Sequence, residues 1–147
     1  MKFTELYRIP IAYLLVYIVL ILGTGIWIFL LSQGLDTEEN IGATLQKVGF
    51  APIEKSVYNF VEVAAPHMFA IGTLIFVVAH FMLFSTRFSQ KFSLKISVSL
   101  FIVALINICA YLLIIFGFVV SGWIKLLSLA LFVLLFLLLL GMVAFSL

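Results

Sequence analysis

Ala65-Pro66-His67-Met68-Phe69-Ala70-Ile71-Gly72-Thr73-Leu74-Ile75-Phe76-Val77-Val78-Ala79-His80-Phe81-Met82-Leu83-Phe84-Ser85-Thr86 is an apolar run that holds both histidines of the chain. Its length suits a helix crossing a hydrocarbon core about 30 Å thick. The histidines stand thirteen residues apart, which at a rise of about 1.5 Å per residue is roughly 20 Å along the axis, one toward each side of the bilayer. An ionisable side chain inside a span is costly unless it faces protein, water or a bound group, so each histidine is a candidate functional residue.

Working outward, the composition agrees with a membrane protein. Of 147 residues, 66% are hydrophobic and 10% charged, where soluble proteins average about 45–50% and about 25%. The length accommodates four spans of about 20 residues and one modest loop in a single membrane domain, residues 1–147. A net charge of +2 without a basic run excludes nucleic acid as a partner and leaves membrane lipid. The single cysteine, Cys109, permits neither an intrachain disulfide nor a thiolate metal cluster. The basic start (Lys2, Arg8) resembles that of a signal peptide, but the apolar stretch behind it, Ile9 to Leu31, is too long for a signal core and is read as a retained helix.

The expected fold is all-α: an integral membrane four-helix bundle with spans at about 9–32, 65–86, 96–120 and 124–146. Pro10 fits the first turn of the first span, where its missing N–H has no intrahelical partner. Gly23-Thr24-Gly25 interrupts the bulky pattern there, and close helix packing is favoured over clearance for a macrocycle edge. The polar segment 33–64 lies between the first two spans. Asp36 and Glu39 have capping-box spacing, Ile41, Leu45 and Val48 recur at helical spacing, and Gly49 is a plausible stop, so a short amphipathic helix on the membrane surface is expected. A second periodic stretch from Pro52 is expected to continue into the second span, bending at Pro66 where the bond to the Glu62 carbonyl is lost, and this is favoured over Pro66 opening the span afresh after Ala65, a position biased away from helix. Lys2 and Arg8 precede the first span, and Arg87, Lys91 and Lys95 follow the second, which places both termini in the cytoplasm.

Neutral imidazole is a normal axial ligand of haem iron. At roughly 20 Å apart, His67 and His80 cannot share one iron. Each needs a ligand from elsewhere, and the chain has no third histidine. Met68 and Met82 point away from the same iron, while Met142 is a candidate for an inner haem. The simplest arrangement is a homodimer in which four histidines hold two haems b between subunits. Thirteen residues leave the rings about 140° apart around a straight helix, so supercoiling, tilt and rotamers have to close that gap. Gly23, Gly25 and Gly72 are candidates for haem clearance, and Arg87 for a propionate partner. With quinone chemistry at the outer side, near Tyr58, Glu62 is the proton acceptor.

Two histidines little more than a dozen residues apart on one helix of a four-helix unit resemble the haem-carrying half of the cytochrome b and b6 family and related small di-haem membrane cytochromes. The resemblance covers this helix and the layout. Only His67 and His80 correspond to family axial ligands; the matching pair on a second helix is lacking. The resemblance implies transmembrane electron transfer with a quinone or redox protein as exchange partner, and the expected location is a bacterial inner (cytoplasmic) membrane.

Plainer readings stand beside this one. Headgroup and water solvation accounts for His67 as well as ligation does. A structural His80 needs a buried acceptor, for which Asn107 and Tyr111 are candidates. Positive-inside anchoring explains Arg87. A non-redox membrane subunit whose outer amphipathic segment docks a partner is the main alternative. A proton or metal relay lacks the intramembrane acids such a path normally includes. No catalytic triad or phosphate loop is present.

Overall fold

The computed structural model describes residues 3–33, 35, 40–50, 56–85, 87–118 and 121–146, with side chains from Tyr7 onward. Five helices follow in order: α1 (Phe3–Leu31), α2 (Ile41–Phe50), α3 (Val57–Phe81), α4 (Gln90–Ile115) and α5 (Trp123–Ser146), with a 3-10 turn at Met82–Phe84. Four of them are long and apolar enough to cross a membrane, and no strand occurs among the described residues. The chain is an all-α integral membrane four-helix bundle.

α5 is the central element. It is the most hydropathic of the spans, meets each of the other four helices and packs most extensively on α4. Its Phe132, Phe136, Leu139, Leu140, Met142 and Val143 meet Ile75, Val78 and Met82 of α3 and its 3-10 extension. α4 contributes Ile96, Leu100, Val103 and Ala104 to the same core. The Phe132 and Phe136 rings stack at 5.6 Å. α1 lies to one side, its main contact being α5, and among its described side chains only Ile18 and Leu30 are buried.

Helix ends follow local chemistry. Ser56 caps α3 by accepting from Asn59 N–H, and Ser89 caps α4 by accepting from Phe92 N–H. α4 therefore begins earlier than its apolar run, and Lys91 and Lys95 lie in its first two turns rather than in a connector. It stops at Ile115 because Gly117 takes φ 71°. That left-handed residue lets Phe118 N–H reach back to Leu113 C=O at 2.9 Å. α3 runs unbroken through Pro66, as the continuous-helix expectation has it. Only one backbone bond is lost there, which a membrane helix tolerates.

The short outer helix exists, but its cap and its end differ from the sequence expectation. Asn40 is the cap, its Oδ1 accepting from Ala43 N–H at 2.8 Å. Asp36 and Glu39 lie outside the described residues, as does the start of the stretch from Pro52. Gly49 is not a stop. It lies inside α2, where a Cβ would stand 2.8 Å from Trp123 Cε2, so glycine is needed for the helix to approach the start of α5. Gly49 C=O accepts from Gly122 N–H at 3.0 Å and from Ser121 Oγ at 2.9 Å.

Candidate functional site

The helix order gives the bundle two distinct ends. At one, the Ser85 and Ser146 hydroxyls meet at 2.7 Å, joining the end of α3 to the end of α5. At the other, α1 and α4 end while α3 and α5 begin, and α2 sits there. His80 is nearer the first end and His67 nearer the second.

Both imidazoles lie outside the core. His67 is exposed, its Nδ1 2.9 Å from Val63 C=O. A carbonyl only accepts, so this contact places the proton on Nδ1 and leaves the Nε2 lone pair available. Metal-bound histidines commonly hold their other N–H in this way. His80 is also exposed and makes no hydrogen bond among the described residues. Its ring sits between Phe76 at 6.0 Å and Phe84 at 5.8 Å. Because α3 is an unbroken α-helix, about 100° per residue carries the two rings about 140° apart around it.

The other candidates are dispersed. Gly23 and Gly25 lie on the exposed surface of α1, which has no substantial contact with α3, and nothing stands within 4 Å of where their Cβ atoms would be. Within the chain they are not at a helix contact. Gly72, half-buried on α3, also faces open space. Arg87 is exposed beyond the 3-10 turn, its backbone N–H directed to Ser85 Oγ at 3.3 Å. Met142 and Met82 are packed in the core, so neither reaches outward to an iron beside His80. Met68 is half exposed. Tyr58 and Glu62 are exposed on α3.

Asn107 and Tyr111 do not serve His80. They belong to a polar seam where α1, α4 and α5 meet at the opposite end. Lys125, 9% exposed in the first turn of α5, directs its ammonium to Asn107 C=O at 2.7 Å and to Asn107 Oδ1 at 2.9 Å. Asn107 Nδ2 in turn donates to Lys125 C=O at 3.2 Å and to Ser128 Oγ at 3.1 Å. The Lys125 ammonium also lies 5.1 Å from the Tyr111 ring centroid, within range of a cation–π attraction. Gln33, 1% exposed at the end of α1, donates through Nε2 to Tyr111 Oη at 2.9 Å. The sequence reading missed Lys125, Gln33 and Ser128. The available clue was Lys125 as the sole charged residue of the last apolar run.

Among the described residues no group of three or more histidine, cysteine or carboxylate side chains could hold a metal ion. The two imidazoles thus stand singly on separate sides of α3. A family described as a transmembrane helical domain matches residues 50–147, the stretch that contains α3, α4 and α5. Neither a curated protein nor a solved structure matches the chain.

Proposed function

The chain belongs to this family of transmembrane helical domains, and from that premise we propose that it is a haem-b-carrying membrane subunit, with His67 and His80 each supplying one axial imidazole. The observation that carries this reading is the position of the rings: both project from α3 outside the packed core, and His67 keeps Nε2 available through its Nδ1 contact with Val63 C=O. An imidazole on the outside of a span is costly against lipid, and coverage by a cofactor and a second protein surface removes that cost. Bound haem would supply a one-electron carrier at each position, letting electrons cross the bilayer.

The 140° divergence refines how the missing ligands arrive. A single twofold contact between two α3 helices accommodates one of the histidines, so a second copy supplies the partner imidazole at one site, and a different surface supplies it at the other. A quinone is the exchange partner on the side of His67, where exposed Glu62 is the proton acceptor. The termini face the cytoplasm of a bacterial inner membrane, by the distribution of Lys2, Arg8, Arg87, Lys91 and Lys95.

The test is the reduced-minus-oxidised absorption spectrum of the detergent-purified protein, with haem per chain quantified, for wild type, His67→Ala and His80→Ala. The expected result is a low-spin b-type spectrum that each substitution diminishes. Protein that carries no haem despite ample supply overturns the reading. The second reading then stands: a non-redox membrane subunit, favoured by a buried Lys125 that is held by the chain's own Asn107 and Tyr111.

A further inference from the structure

α2 rests on the protein through Thr44, Val48 and Gly49, and part of its apolar face stays open. Ile41, Leu45 and Val48 follow helical spacing and share one face. At the C-terminal end that face is closed: Val48 is 2% exposed, and Gly49 is seated against the Trp123 ring. Nearer the N-terminus Thr44, on one flank of that face, is still fully buried, while Leu45 is 38% and Ile41 51% exposed. The Gly49 carbonyl, bonded to Ser121 and Gly122, pins α2 at the level where the last span begins. One turn further along α5, Leu127 is open, so the lipid-facing flank of that helix continues up to the foot of α2. The opposite face of α2 carries Ala43, Gln46 and Lys47 and, at its C-terminal end, Phe50, all exposed. Trp123, together with Phe50 in edge contact at 5.7 Å, provides aromatic rings of the kind found at headgroup depth.

We infer that α2 is an in-plane helix at the membrane interface and that the open half of its apolar face is covered by the bilayer surface, not by a partner protein. Thr44, Val48 and Gly49 hold the protein, while Ile41 and Leu45 reach the acyl boundary. Gln46 and Lys47 face headgroups and water. An amphipathic helix with one side in the headgroup–acyl boundary is the membrane counterpart of a helix seated on a core. The apolar stripe is continuous across both surroundings because protein interior and lipid are alike to a leucine. The inference does not depend on haem.

The test uses the full-length chain with Cys109→Ala and one introduced cysteine at a time, Ile41→Cys, Ala43→Cys, Leu45→Cys or Gln46→Cys, each carrying a nitroxide in phosphatidylcholine vesicles. All four positions are exposed, so the label displaces no core residue. Collision with oxygen, which partitions into lipid, is compared with collision with a water-soluble nickel chelate. Positions 41 and 45 are expected to show an oxygen-to-nickel ratio several-fold above that of 43 and 46. Equal nickel access at all four overturns the inference by placing the face in water. Labels at 41 and 45 closed to both reagents also overturn it, because a protein then covers them.

Discussion

The Lys125 seam and the histidine face of α3 both bring polar groups into apolar surroundings, and the molecule treats them in opposite ways. Lys125 is buried, and neighbouring groups of α4 surround its ammonium. His80 is exposed, its ring bordered by phenylalanines and making no hydrogen bond among the described residues. A buried charge costs several kcal/mol unless its hydrogen bonds are made, so the seam is explained by folding alone. Nothing in the folding of one chain requires His80 where it is. The contrast separates polar groups that the bundle encloses from polar groups that it leaves on its surface.

Perturbing each region sharpens that contrast. The largest effect is expected for Asn107→Leu, which removes Oδ1 from Lys125 and the donor from Ser128. A loss of about 3 kcal/mol follows from unmaking buried hydrogen bonds to a charge. Denaturant unfolding in detergent measures it, and a loss below that of the substitutions described next would deprive the seam of its structural role. Gly49→Ala comes second: the new methyl meets Trp123 and forces α2 off the start of α5, at about 2 kcal/mol of overpacking. Trp123 emission should shift along with the lowered Tm, whereas an unchanged spectrum would mean that the contact relaxes elsewhere.

Tyr111→Phe deletes the acceptor of Gln33 while keeping the ring beneath Lys125, and is expected to cost about 1 kcal/mol. Its effect should be smaller in an Asn107→Leu background if the seam acts as one network, which a double-mutant cycle measures. The smallest effect is assigned to His80→Ala in the haem-free protein, within about 0.5 kcal/mol of wild type, as for surface changes that break no bond. Unfolding of the apoprotein checks it. A large loss would show that the imidazole is structural after all and would erase the contrast between the two regions.

Much of the fold was legible before the structure. Apolar length set the four spans, because backbone groups in lipid must be satisfied within a helix and few other solutions exist. The continuity of α3 through Pro66 was favoured by the periodic stretch ahead of the proline, and the structure decided it against a helix opened afresh at Pro66. Boundaries were less so. α4 begins at Gln90 because Ser89 provides a cap, although charged residues in its first turns mask the start on a hydropathy reading. The candidate site was readable only as a pair of residue types at a spacing. Their exposure, and the roles of Asn107 and Tyr111 away from His80, depended on which faces of α3 and α4 turned inward.

What the sequence by itself determined is therefore the membrane solvent, the count of spans and the roughly 20 Å separation of the histidines, because each follows from hydrophobic length or helical rise along one segment. Tertiary structure alone decided that α5 is the centre, that Gly49 is a contact and not a stop, and that Lys125 is enclosed by groups from α4 while both histidines remain outside. Those outcomes depend on how helices rotate and pair. In chains apolar on nearly every side, hydrophobicity cannot select a face, and the choice falls to side-chain packing and to the few polar groups that must find one another.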